Sequence, residues 1–172
     1  MKIGIIGGTG GMGKGFALRW CENHEVVIGS REAVKAEEAA KEYADLAQKE
    51  YNSIKGRITG KDNISVAKES DVLILSIPYE NIDTICSQLL PNVRDDCIVI
   101  SPIVPLTKTD AGFEFISFKD KKPSAFELVQ KHMKNKSKLV SAFHTVSEKK
   151  LIDTKLVLDS DIFVCGDAED SI

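Results

Sequence analysis

The stretch GGTGGMGKG, residues 7 to 15, is the densest group of residues whose spacing implies chemistry. Gly8, Gly10 and Gly13 form a G-x-G-x-x-G pattern. It follows a short apolar run, KIGIIGG, and opens GMGKGFALRWCEN, whose apolar residues recur at helical spacing. In that setting each glycine has its own duty. Gly8 permits a tight turn, Gly10 lets the backbone approach a pyrophosphate, and Gly13 lets the helix lie close to the strand. The helix N-terminus then offers unpaired N–H groups to phosphate. Gly8, Thr9, Gly10, Gly11, Met12 and Gly13 are the candidate contacts of a dinucleotide; a purely structural turn is the alternative. The same letters nearly spell the phosphate loop of an NTPase, but Gly15 stands where that loop needs Ser or Thr to hold magnesium. ATP hydrolysis is therefore the poorer reading, and Lys14 is expected to face solvent or a phosphate from the side.

A second cluster lies in EVVIGSREAVK. NAD-binding folds place Asp or Glu about 20 residues beyond the glycines to grip the ribose 2′-hydroxyl. Gly29 and Ser30 stand there instead. A carboxylate would repel the 2′-phosphate of NADP, whereas a hydroxyl, a guanidinium and an ammonium would bind it, so Ser30, Arg31 and Lys35 are its candidate partners. The helix is expected to begin at Ser30 or Arg31, which puts a cation where a helix N-terminus favours an anion. The alternative makes Ser30 a helix cap and leaves both cations solvated.

Groups for acid–base work are scarce. His24 falls in a turn and His132 on the exposed side of a helix. His144 ends a strand on the ligand side and is the one candidate for a catalytic role, positioning a ring; a structural histidine is the other reading. Cys21, Cys86, Cys97 and Cys165 show no CxxC spacing and read as reduced, mostly buried thiols, and no metal-ligand set is expected. This poverty suits hydride transfer between stacked rings, which needs orientation and dry packing more than a base.

Buried strands are expected in KIGII, EVVIGS, DVLILSIP, DDCIVISPIVP, SKLVSAFHTV and DIFVCGD, and a short strand with a helical turn in NISVAKES. Helices are expected in GMGKGFALRWCEN, REAVKAEEAAKEYADLAQKEYNSI, YENIDTICSQLL and SAFELVQKHMKN, with a loop over residues 106–122. Strands alternating with amphipathic helices imply an α/β, doubly wound, mostly parallel sheet, a Rossmann dinucleotide-binding fold, as one domain over residues 1–172. The net charge of -3 argues against nucleic acid as a partner. No apolar run approaches membrane-spanning length and no signal peptide is apparent, so a cytoplasmic protein acting on small-molecule coenzymes is expected. A homodimer is compatible with this reading.

Taken together, IGIIGGTGGMGKGFALRW, VVIGSRE, DVLILSIPYE, VISPIVPL and VSAFHTV…VCGD resemble the F420-dependent NADP reductases, found mostly in archaea. The resemblance implies hydride transfer between reduced coenzyme F420, a deazaflavin, and NADP. It implies that Thr9, Gly10, Met12 and Gly13 line the pyrophosphate and that Ser30, Arg31 and Lys35 hold the 2′-phosphate. Ile77 and Pro78 would pack on the nicotinamide side, and His144 and Val146 would lie near the face where the rings meet. The chain departs from the family at Gly11-Met12, where a polar residue and Leu are common, and at Tyr79, where Trp is common. Relatives continue past VCGDAEDS with a segment that helps close the deazaflavin site, so the resemblance implies that this segment is absent after residue 172. Two other readings remain open: an NADPH-dependent metal or flavin reductase domain, and a non-catalytic NADPH-binding module.

Overall fold

The computed structural model describes residues 1–51, 53–116 and 123–171. The chain runs β1 (Lys2–Ile6), α1 (Gly11–Trp20), β2 (Glu25–Ser30), α2 (Ala33–Glu50), β3 (Arg57–Asp62), α3 (Asn63–Glu69), β4 (Val72–Leu75), α4 (Ile82–Leu89) and β5 (Ile98–Ser101). A hairpin of β6 (Leu106–Thr109) and β7 (Gly112–Phe115) follows, then α5 (Ala125–Gln130), β8 (Leu139–Ser141), α6 (Glu148–Ile152) and β9 (Cys165–Gly166). The main sheet has the order β3-β2-β1-β4-β5-β8-β9 and is parallel except for β9. The chain thus winds outward from β1 to β3, then crosses back to β4 and winds the other way. The reversal lies between β1 and β4, where such folds open a crevice at the carboxyl ends of the strands.

The alternation of side chains along each strand divides the core between two faces. Ile3, Ile5, Val26, Ile28 and Ile74 pack with Phe16 and Ala17 of α1, Ala36, Ala40 and Tyr43 of α2, and Leu151 of α6. Ile6, Val27, Leu73, Leu75 and Val99 face Val66 of α3, Ile82, Cys86 and Leu89 of α4, and Val129 of α5. Strands apolar on both faces are what a sheet covered on both sides requires.

Several expectations need correction. The strand expected in NISVAKES lies upstream, in RITGKD. It is an edge strand whose Arg57 pairs with Glu25 and whose Lys61 pairs with Glu69, so its polarity hides it. Residues 63–69 are α3, started by Asp62, whose carboxylate accepts from the Ser65 N–H at 3.0 Å. The α2 helix begins at Ala33, not at Ser30 or Arg31, because Ser30 still pairs with Asp62 as strand. It stops at Glu50, where Tyr51 turns extended, rather than running to Ile54; Asn52 lies outside the described residues.

Residues 106–115 form a hairpin rather than a loop, with Leu106 opposite Phe115 and Gly112 at φ +126 in the turn; residues 117–122 lie outside the described residues. Of DIFVCGD only Cys165 and Gly166 pair, antiparallel to β8. Residues Glu148–Ile152 form α6, a helix that the sequence pattern does not predict. Cys21, Cys86 and Cys97 are buried, but Cys165 is exposed. Burial pushes the thiol of Cys21 up to about 11 and those of Cys86 and Cys97 to about 12.

Candidate functional site

A cleft of about 1130 Å³ opens at the carboxyl ends of β1, β2, β4 and β5. That exceeds the roughly 300–1,000 Å³ typical of a pocket for one drug-sized ligand. Its floor is the glycine loop. The residue in the left-handed region is Gly7 (φ +72), whose missing Cβ would fall on the Ser76 carbonyl. The tight turn assigned to Gly8 therefore belongs to its neighbour. Gly8 is needed for space: a Cβ there would lie 2.8 Å from the Ile5 carbonyl oxygen and 2.9 Å from Ile28 Cγ2. Gly13 lies against Gly8, where a Cβ would approach its Cα to 2.5 Å. Gly10 is different, since a Cβ there would meet only the Gly7 carbonyl at 3.5 Å and otherwise point into open space.

Above this turn α1 begins at Gly11 with Gly10 as its cap. No side chain bonds its first N–H groups and its first turn holds no acidic residue, which leaves an electropositive terminus aimed at the cleft. Lys14 does not contribute to it. Its Nζ is 2.7 Å from Glu42 and lies over the Tyr43 ring, turned toward α2.

At the end of β2, Ser30, Arg31 and Lys35 all line the cleft. Lys35 Nζ pairs with the Glu32 carboxylate at 2.6 Å, and Ser30 Oγ accepts weakly from the Glu32 N–H at 3.4 Å. Arg31 is exposed and forms no ion pair among the described residues. The nearby carboxylate of Asp62 is committed to α3. Hydrogen bonds from the Ser65 hydroxyl, then from the Ser65 N–H, hold its carboxyl below the usual range. Among the described residues the corner therefore presents an unpaired guanidinium, a hydroxyl and a tethered ammonium, with the Glu32 and Asp62 carboxylates engaged.

The opposite wall comes from β4 and β5. Ile77 and Pro78 line it with Pro102 and Ile103. Tyr79 donates from Oη to the Pro123 carbonyl at 2.9 Å, which fixes the rim. The hairpin adds Leu106 and Phe113, and α6 adds Glu148. Phe113 is 72% exposed, so this apolar ring stands at the mouth of the cleft without a cover.

Of the residues singled out from sequence, Thr9, Gly10, Gly11, Met12, Ser30, Arg31, Lys35, Ile77 and Pro78 come together around this cleft. Gly8 and Gly13 are buried beneath it. His144 and Val146 are not among its lining residues. His144 sits in the turn after β8, its Nε2 3.3 Å from Ser141 Oγ, and crowding by protein atoms lowers its pKa. His132 lies beyond α5 with its Nε2 2.8 Å from the Asp83 carboxylate. No group of three or more metal-ligating side chains occurs among the described residues. Likewise no helix among them is long and apolar enough to cross a membrane. Sequence reasoning passed over Asn63, Glu148 and Phe113. Phe113 and Phe115 were legible as a two-residue alternation in GFEF; Glu148 had no local signal.

Residues 2–105 match the family described as NADP oxidoreductase, coenzyme F420-dependent. The chain is 40% identical over 171 residues to the F420-dependent NADP reductase of Methanocaldococcus jannaschii, covering 99% of this chain and 75% of that one. The chain belongs to this family. It is also 30% identical to the F420-dependent NADP reductase of Methanothermobacter thermautotrophicus, covering 100% of this chain and 73% of that one. A solved structure from Arthrobacter sp. FB24, described as a candidate F420-dependent NADP reductase, superimposes with a TM-score of 0.75 over 99% of this chain and 76% of its own. At 19% identity that likeness speaks for the fold. The family match spans β1 through β5, the part of the chain that builds the cleft floor, and the relatives extend the likeness through β8 and α6.

Proposed function

We infer that the chain is an oxidoreductase that transfers a hydride between coenzyme F420 and NADP. Supporting this are the family membership and, within the structure, one observation above the rest. The position that decides between the two nicotinamide dinucleotides carries a free Arg31 beside Ser30, and its carboxylates are engaged elsewhere. On this reading Ser30, Arg31 and Lys35 hold the 2′-phosphate, and the N–H groups from Gly10 to Gly13 take the pyrophosphate. Ile77 and Pro78 then form the dry wall on which the nicotinamide lies, with the deazaflavin in the wider part of the cleft. His144 and Val146 do not line the cleft, and only the family resemblance assigns them to the region of the rings. The reaction would move a hydride between the reduced deazaflavin and the nicotinamide, with the second hydrogen of the reduced deazaflavin released to solvent as a proton, or the reverse. The chain's contribution is to bind and stack the rings and to keep water from the hydride path.

The same reading makes it a cytoplasmic enzyme of an archaeon, as the curated relatives are archaeal, and one that works on small coenzymes without nucleic acid or membrane. Mixing the protein with NADPH and oxidised F420 and following the deazaflavin absorbance tests it. Bleaching of the oxidised band at a protein-dependent rate is expected. Tight NADPH binding with no transfer would instead identify a binding module, and transfer to a flavin or metal but not to F420 would identify the other reductase.

A further inference from the structure

The segment SPIVPLTKTDAGFEF leaves the main sheet at Ser101, where β5 ends, and turns back on itself as the β6–β7 hairpin. Pro102 and Pro105 lack the N–H that a longer strand would need for its ladder, so the sheet does not continue past Ser101. The hairpin is closed at its base, where the Leu106 N–H donates to the Val104 carbonyl and the Ile116 N–H to the Pro105 carbonyl, each at 2.8 Å. At its tip Thr109 Oγ1 donates to the Gly112 carbonyl at 3.2 Å. Its two strands pair with each other and with no strand of the main sheet.

Register decides which of its residues share a face. Leu106 lies opposite Phe115, Lys108 opposite Phe113 and Thr107 opposite Glu114. Side chains alternate along each strand, so Leu106, Phe113 and Phe115 fall on one face and Thr107, Thr109 and Glu114 on the other. The apolar face is the one turned to the cleft, since Leu106 and Phe113 line it. Phe113 is 72% exposed. A ring left this open does little to hold the hairpin together, because its stabilising effect comes from burial.

Hydride transfer needs two flat rings face to face, with the reacting atoms about 3–3.5 Å apart. A nicotinamide laid on Ile77 and Pro78 offers one face to the second ring, whose far face then needs a cover of its own. Two aromatic side chains line the cleft, Tyr79 and Phe113. Tyr79 is committed: its Oη donates to the Pro123 carbonyl at 2.9 Å and its ring packs on the core. Phe113 stacks on no other ring among the described residues. We propose that Phe113 is the stacking partner of the deazaflavin ring, and that the apolar face of the β6–β7 hairpin is the part of the site that covers this second coenzyme. The proposal rests on the reading of the chain as an F420-dependent NADP reductase. Phe113 and Leu106 suit a flat ring system and offer no hydrogen bond to a phosphate. The hairpin therefore serves the tricyclic coenzyme, and NADP is left to the glycine loop and the Ser30 corner.

The test titrates oxidised F420 by calorimetry into protein loaded with oxidised NADP, a pair between which no hydride can move. Wild type, Phe113→Ala, Phe113→Tyr and Thr107→Ala are compared. Phe113→Ala should weaken F420 binding roughly 5- to 50-fold and raise the KM for F420 in turnover by a similar factor. Its NADP affinity and melting temperature should stay at the wild-type values, since the ring lies at the mouth of the cleft and outside the core. Phe113→Tyr keeps the ring and should bind F420 within about threefold of wild type. Thr107→Ala alters the other face of the hairpin and should change nothing. Wild-type F420 affinity in Phe113→Ala overturns the proposal. So does an equal loss in Phe113→Ala and Thr107→Ala, which would mark a damaged hairpin rather than lost stacking. Loss of self-association in Phe113→Ala with F420 affinity kept also overturns it, and assigns the exposed ring to a second copy of the chain. If wild type binds NADP but neither binds F420 nor exchanges hydride with it, the reading of the chain as an F420 enzyme fails first, and the proposal fails with it.

Discussion

Replacing Arg31 with Ala should separate the two nicotinamide dinucleotides, and the structure gives the size of the effect. Three groups face the expected 2′-phosphate, but they are not equally free. Lys35 is tied to Glu32 at 2.6 Å, both side chains being more than 60% exposed. Its removal also releases the Glu32 carboxylate. Ser30 offers a neutral hydroxyl, worth about 0.5–1.5 kcal/mol as a hydrogen bond. Arg31 alone carries an uncommitted charge able to form a two-pronged contact with phosphate, and a hydrogen bond to a charged group is worth about 1.5–3 kcal/mol. Arg31→Ala should therefore weaken NADP binding roughly 10- to 150-fold and leave NAD almost unchanged. Lys35→Ala should cost NADP about fivefold or less. Calorimetric titration of both dinucleotides at one ionic strength reads these ratios directly, since exposed charges are screened by salt. Equal NADP and NAD affinities in wild type, or an equal loss of both in Arg31→Ala, would refute the assignment of the 2′-phosphate to this corner.

Gly10→Val should fold normally, as a Cβ there meets only one carbonyl at 3.5 Å, yet lose dinucleotide binding, because the side chain would stand where the backbone must meet phosphate. Gly13→Val should instead fail to fold stably, since its Cβ would drive into Gly8; circular dichroism and NADP titration distinguish the two outcomes. Arg19→Ala removes the donor of four carbonyls at the end of α6 and should cost about 2–3 kcal/mol, visible as faster proteolysis between residues 148 and 158. His144→Ala should slow hydride transfer in single-turnover absorbance measurements while leaving NADP affinity within about twofold of wild type, as ring placement rather than dinucleotide anchoring is what it would disturb; an unchanged rate would make His144 structural.

The part of the site that the sequence discloses is the part made by local chain geometry. The glycine loop and the Ser30-Arg31 corner sit at strand-to-helix junctions, where a few consecutive residues must satisfy turn, cap and close approach together, and those demands show as residue types. Even there the division of labour shifted, since φ > 0 fell on Gly7 rather than Gly8. What stayed hidden is what two distant segments make between them. β3 is a strand because β2 gives it a partner and Glu25 and Glu69 neutralise Arg57 and Lys61, none of which a six-residue window displays. α6 has five residues, too few for a period to be read, and exists because Gly15 and Arg19 of α1 receive it. Glu148 enters the cleft only as a passenger on that helix.

The position of His144 has the same origin. Phe143 adopts φ +68, a left-handed conformation that costs a residue with a Cβ about 1 kcal/mol or more. Its ring packs edge-on to Phe16 at 5.2 Å and beside Trp20 at 5.9 Å, while Phe16 and Trp20 stack at 4.6 Å. Burying an aromatic ring in such a cluster is worth more than the backbone cost, so the chain accepts the strained turn. That turn swings residues 144–146 away from the direction of β8, with the Val146 N–H closing onto the Phe143 carbonyl at 3.2 Å. The placement of His144 is therefore set by side chains of α1, the helix whose opposite end is the glycine loop. A single rigid element of 10 residues thus anchors both the loop proposed to hold pyrophosphate and the segment proposed to bound the rings.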